Sequence, residues 1–185
     1  MPDLLPPRAS SRLAVVEEHV RCENRHDLPG LLATFGAGAR YDDEPWDDHR
    51  LGLDGVRAYY AELLAALPDL EIEVRSRHVG QEAIVLEVTI RGTHLGPWRG
   101  GMPATGRRVE FPLCGVFTFD ADDRMAGERI YYDRATVLRQ IGLFREPVGP
   151  LGRLASALGH PLTVARALLR RGALSRSRPP PVPRA

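Results

Sequence analysis

The chain has 185 residues and a net charge of +1 from 25 basic and 24 acidic side chains, enough for one domain with a sizeable core plus an appendage. Every basic residue is arginine, so a lysine nucleophile or Schiff base is excluded. The charge is uneven: residues 1–144 hold 17 Arg against 23 Asp and Glu, whereas residues 145–185 hold 8 Arg and the single acid Glu146. An acidic body with a basic tail points to a tail that folds back on the body or meets its own partner.

Cys22 and Cys114 lie far apart without metal-ligand spacing, and read as buried free thiols in a reducing compartment. No apolar run approaches membrane-spanning length and no apolar signal region opens the chain. The expectation is a soluble cytoplasmic protein without an integral membrane segment.

In chain order, residues 1–10 are Pro-rich and predict disorder. Ser10 or Ser11 can cap a helix to Asn24, with Leu13, Val16, Val20 and Glu23/Asn24 at helical spacing. Leu28 to Phe35 reads as a short helix, Ala39 to Glu44 as a strand, and Pro45 to Gly52 as a loop. Asp54 caps a helix over Gly55 to Leu67, stopped by Pro68-Asp69. Strands then dominate: Leu70–Val79, Glu82–His94, Arg107–Asp120 and Met125–Asp133, with a Gly/Pro-rich connection over 97–106 and an acidic turn at 121–124. Helices followed by hairpin-linked strands predict an α+β fold, a curved antiparallel sheet packed on one face by N-terminal helices. After Gly142 the pattern changes. Residues 145–174 predict a basic amphipathic helical tail, and residues 175–185 a disordered Pro/Arg segment.

The most informative stretch is Glu128-Arg129-Ile130-Tyr131-Tyr132-Asp133, a strand ending in a carboxylate where a helix begins. Desolvation against aromatic surface raises a carboxylate's pKa and makes it a candidate acid/base, while Asp is equally a common helix N-cap. Strand alternation sets Tyr131 with Arg129 and Asp133, and Tyr132 with Ile130 and Glu128. Only one set can face a pocket. If Asp133 does, Tyr131 is its neighbour. His94 shares parity with Leu86, Val88 and Ile90 on the apolar face, and is a second candidate for proton transfer or a loop-fixing side chain. Tyr41, Trp46, Tyr60 and Trp98 can line a pocket for a planar ligand. Cys114 lies mid-strand as a further candidate substrate-binding residue, its thiol inert as a nucleophile because no matched base is evident. The acidic run Tyr41 to His49 reads as a solvated rim closed by Trp46 in preference to a cation site. No phosphate loop ending in lysine is present, and the Arg-rich tail lacks a nucleic-acid motif.

Several segments together resemble the SnoaL-like polyketide (ester) cyclase family of the nuclear transport factor 2-like superfamily. They are Ala66-Leu67-Pro68-Asp69-Leu70, Gly92-Thr93-His94-Leu95-Gly96, Gly101-Met102-Pro103-Ala104-Thr105-Gly106-Arg107, and Asp133 seven residues before Gln140-Ile141-Gly142. The resemblance covers about residues 11–144. It implies a cone-shaped sheet, a small hydrophobic or aromatic ligand, a homodimer, no metal and no organic cofactor. It also implies carboxylate acid/base catalysis of an intramolecular aldol closure, with the acid/base role falling on Asp133. A non-catalytic binding or dimerisation module of the same fold is the alternative. A further alternative is a limonene-epoxide-hydrolase-like enzyme, in which two aspartates and an arginine activate water. Arg91 is followed by Gly92-Thr93 where that pattern wants a second aspartate.

Overall fold

The computed structural model describes residues 6–99, 101–144, 149–159, 161–163 and 165–166. The chain divides into two compact units, Met1–Phe144 and Arg145–Ala185.

The first unit opens with α1 (Pro7–Asn24). Pro7 occupies the first turn, where a missing N–H breaks no intrahelical bond. The helix therefore starts ahead of Ser10, and the expected disorder over 1–10 gives way to helix from Pro7; residues 1–5 lie outside the described residues. Its buried stripe is Arg12, Val16, His19, Val20 and Glu23. Three ionisable groups, Arg12, His19 and Glu23, thus ride on the apolar face. Asp27 caps α2 (Leu28–Ala33) by accepting from the Gly30 N–H at 3.0 Å.

β1 (Phe35–Asp43) and β2 (Asp48–Leu51) form a hairpin around the 3-10 turn Glu44–Trp46, closed by Asp47 at φ 52°. The expected loop over 45–52 therefore holds a strand. Its four residues are too short to show alternation. α3 (Gly52–Ala66) follows, then β3 (Glu71–Val79), β4 (Ala83–Thr93), β5 (Arg108–Phe119) and β6 (Met125–Tyr132). The sheet order is β2-β1-β6-β5-β4-β3. All neighbours are antiparallel except β1 and β6, which run parallel. Register shifts in β1, β3 and β6 interrupt the ladder and help to bend the sheet. The result is a curved, unclosed six-stranded sheet with helices against its concave face, the α+β architecture that the element order predicts.

The inner face of β4 (Ile84, Leu86, Val88, Ile90) joins Phe111 and Phe117 of β5 and Val16, Val56 and Tyr60 of the helices in one core. Each such side chain contributes roughly 1.5–3 kcal/mol by leaving water. Two polar fasteners lock the sheet to its connections. Asp69 accepts from the Thr93 N–H and hydroxyl at 2.6 and 2.7 Å, and Gln140 of α4 (Arg134–Gln140) makes both backbone bonds to Glu110 at 2.7 and 2.9 Å. Gly96 packs so closely on α3 that a Cβ there would stand 2.1 Å from the Ala65 carbonyl oxygen.

In the second unit α5 (Gly149–Gly159) sets Leu151, Leu154 and Leu158 on one exposed stripe. The expected disordered segment 175–185 lies outside the described residues. Among the described residues no helix is long and apolar enough to cross a membrane.

Candidate active site

The sheet and helices surround a narrow slot of about 50 Å³. Its walls are mostly apolar, from Val20, Leu70, Leu86, Ile90, Phe111 and Ile130. Glu23, Tyr41, Tyr59, Trp98, Glu128 and Tyr132 are the lining residues that carry polar groups.

At one end, α1 and β6 bring two carboxylates to one histidine. His19 is fully buried; its Nε2 lies 3.2 Å from Glu128 Oε2 and 3.7 Å from Glu23 Oε2. The hydrogen positions follow from the partners. The Thr34 hydroxyl donates to the Leu31 carbonyl at 2.6 Å, so at 2.9 Å from His19 Nδ1 its oxygen accepts. The Tyr60 hydroxyl donates to Glu128 Oε2 at 2.8 Å, so at 3.0 Å from Nε2 it cannot donate to the ring. Both ring nitrogens therefore carry hydrogen, and His19 is an imidazolium. Burial opposes that charge, but Glu23 and Glu128 outweigh it and raise the His19 pKa. Glu23 goes the other way from an ordinary acid. Burial, reinforced by Glu128 and only partly offset by His19, lifts its pKa to about 8. At neutral pH the group is thus a cation, an accepting carboxylate at Glu128 and a neutral acid at Glu23.

A second polar cluster lies around Asp43, which is fully buried. Its Oδ2 accepts from Tyr59 at 3.0 Å, from Tyr132 at 3.2 Å and from Arg99. Arg99 also reaches Asp48 at 2.8 Å and lies 4.7 Å over the Tyr59 ring. Burial raises the Asp43 carboxyl, opposed by Arg99 and the two phenols. Asp43 itself does not line the cavity; Tyr59 and Tyr132 stand between.

The structure rearranges the expected site. Asp133 is exposed, and caps α4 by accepting from the Ala135 N–H at 2.9 Å and the Thr136 hydroxyl at 2.5 Å. Thr136 holds its carboxyl below the usual range, the reverse of a desolvated acid. Tyr131 is 44% exposed and stands on the same outer face. The strand alternation was legible but its sense is inverted, because Glu128, Ile130 and Tyr132 take the inner face. His94 is buried, with Nδ1 3.1 Å from the Thr105 hydroxyl and its ring beside Trp98, and it does not line the cavity. Burial lowers its pKa. Tyr41 and Trp98 line the cavity. Tyr60 is behind the wall, where it hydrogen-bonds Glu128. Trp46 packs 4.9 Å from the Arg134 guanidinium, outside the lining. Cys114 pairs in register with outward Tyr131, and burial raises its thiol pKa. Asp42, Glu44 and His49 come within 4.8 Å of one another, but Arg40 and Arg129 already occupy those carboxylates. Arg91 pairs with Glu73 and Glu110.

Sequence reading missed His19, Glu23, Glu128 and Arg99. The signal for the first two was present: both share the α1 stripe of Val16 and Val20, and an ionisable pair four residues apart on a core face needs a partner. Arg99 gave no such signal, because its loop conformation, φ 38°, decides where it reaches.

Comparison with known proteins agrees with this architecture. The family model for SnoaL-like polyketide cyclases matches residues 14–141, and the chain belongs to that family. Among solved structures, the proposed hydroxylase AclR from Streptomyces galilaeus is 25% identical with a TM-score of 0.63, over 74% of this chain and 98% of that one. A proposed SnoaL-like polyketide cyclase from Jannaschia sp. CCS1 is 22% identical with a TM-score of 0.69, over 77% and 99%. SalBIII, an epoxide hydrolase/cyclase-like enzyme of pyran ring formation in salinomycin, is 20% identical with a TM-score of 0.58, over 68% and 92%. The last two likenesses concern the fold alone. No curated protein matches the sequence.

Proposed function

We propose that the protein is a cyclase- or isomerase-type enzyme that uses side chains alone for acid/base catalysis on a flat, hydrophobic ring ketone. The observation that carries this reading is the Glu23–His19–Glu128 group at the end of an apolar slot. Closing a ring by an intramolecular aldol step requires removal of a proton alpha to one carbonyl, attack of that carbon on a second carbonyl of the same molecule, and protonation of the alkoxide formed there. Glu128 takes the proton. Glu23, which keeps its proton up to about pH 8, hydrogen-bonds the oxygen of the attacked carbonyl and protonates it as the new carbon–carbon bond forms. His19 fixes both carboxyl groups. This assigns to Glu128 the role that the family resemblance offers to Asp133.

The epoxide-hydrolase alternative finds an arginine between two aspartates at Asp43–Arg99–Asp48. Burial of Asp43 and Arg99, neither of which lines the cavity, favours a positioning role over activation of a water there.

The test needs no natural substrate. Purified protein is incubated with 1-tetralone in deuterated buffer, and loss of the alpha-proton signal is followed by NMR. Wild-type protein accelerates exchange over buffer, Glu128→Gln loses roughly 10²–10⁴-fold of that rate, and Asp133→Asn keeps it. Exchange by Glu128→Gln at the wild-type rate overturns the assignment. A protein that binds the ketone without any exchange is a binding module.

A further inference from the structure

The second unit carries a surface that the acid/base chemistry does not use. α5 sets Leu151, Leu154 and Leu158 on one stripe, and Leu162 continues the row at the same spacing within the helical residues 161–163. Steps of three, four and four residues are those of one helix face. Each of the four is more than half exposed, from 57% at Leu154 to 82% at Leu151. A single bare leucine is ordinary on a protein surface, but four in a row make an apolar face that needs a partner.

Charge narrows what that partner is. Residues 147–185 contain seven arginines and no acid. Arg166, in the described residues 165–166, is exposed. The partner is therefore apolar and anionic at once. A second copy of the same stripe fails this requirement, because it would bring two strongly basic segments together. The first unit is acidic, but its exposed large hydrophobics are Leu51, Leu53, Leu95, Tyr131 and Leu143. They come from five parts of the chain and form no row to receive a leucine stripe. Many of its surface acids also face its own arginines, as Glu18 does Arg21 and Arg25, and Glu73 does Arg75 and Arg91. Nucleic acid offers phosphates without a continuous apolar surface.

A bilayer surface with anionic headgroups meets both demands, with acyl chains for the leucines and phosphates for the guanidinium groups. Arginine suits that contact because its fork of N–H donors matches a phosphate. The eleven residues of α5 rise roughly 16 Å, about half of a hydrocarbon core. The helix is thus long enough to lie in the surface and too short to cross it.

We infer that the leucine stripe of the second unit is a peripheral membrane-binding surface. Its partner is a bilayer rich in anionic phospholipid, and the arginines around the stripe supply the preference for negative charge.

Full-length protein is sedimented with vesicles of phosphatidylcholine alone, or of phosphatidylcholine and phosphatidylglycerol in equal parts. Partitioning onto the mixed vesicles is expected to be at least about tenfold stronger than onto the neutral ones, since each arginine near an anionic surface is worth about fivefold. Leu154→Glu combined with Leu158→Glu lowers partitioning onto the mixed vesicles by at least about tenfold, because two apolar contacts are lost. Leu158→Trp keeps the face apolar and decides the matter if the double variant disturbs the helix. Its fluorescence moves to the blue on mixed vesicles as the indole leaves water. Wild-type protein that stays in solution with the mixed vesicles overturns the inference. So does a double variant that partitions like wild type, which would reduce the contact to charge alone, or an emission that does not move. If the double variant instead breaks a soluble oligomer, seen by light scattering, while vesicles capture no protein, the stripe is a protein interface and the membrane reading fails.

Discussion

The two faces of β6 carry the same kinds of residue in opposite circumstances. Inside, Glu128, Ile130 and Tyr132 meet a slot from which water is largely excluded; outside, Arg129, Tyr131 and Asp133 meet solvent. Glu128 sits beside a buried imidazolium and a tyrosine hydroxyl, while Asp133 is held by a backbone N–H and a threonine. A carboxylate's use depends less on its type than on which side of the pleat it occupies.

The comparison breaks most sharply on catalysis, where Glu128→Gln is expected to lose roughly 10²–10⁴-fold in alpha-proton exchange and Asp133→Asn nothing measurable. If Asp133→Asn is the slower variant, the assignment of faces is wrong. The next largest effect is on stability. Arg99→Met leaves Asp43 buried without its cation and destabilises by about 3–5 kcal/mol in urea unfolding. A loss under about 1 kcal/mol would mean that Asp43 is protonated and needs no partner.

The third concerns pH. Glu23 has a folded pKa of about 8 against an ordinary value of 4.5, so the folded state binds more protons across that window. The His19 shift has the same sign above its ordinary value of 6.5. Stability is therefore greatest at the low end of this window and falls as pH rises towards about 8, with a slope of up to ~1.4 kcal/mol per pH unit per proton. Glu23→Gln keeps the neutral shape and flattens the fall, read as melting temperature against pH. An unchanged slope would refute the raised Glu23 pKa. The smallest effect belongs to the outer face: Asp133→Ala removes a cap and costs about 1 kcal/mol, with exchange activity retained.

Much of the fold was legible because its motifs are fasteners. Asp69 with Thr93, Gly96 against α3, and Gln140 on the Glu110 backbone are residues that carry the family resemblance, and each ties one element to another. The same residues say nothing about chemistry, which explains why the motif led to Asp133 and His94. The α1 stripe shows the opposite case. His19 and Glu23 were visible at helical spacing with Val16 and Val20, but their meaning depends on Glu128, over a hundred positions away. The β1–β2 hairpin was missed because four residues are too few to reveal a period. Arg99 was missed because a left-handed backbone angle, not a pattern, aims it.

In this reading the group of His19, Glu23 and Glu128 holds one positive charge, one negative charge and one neutral acid. Its net charge is zero. A ketone that enters uncharged leaves this balance undisturbed. A molecule that brings its own carboxylate would place a second anion beside Glu128 in a site with little water, at a cost of several kcal/mol. The expected outcome is that an ester binds this cavity more tightly than the corresponding free acid, which a calorimetric titration of the pair would check.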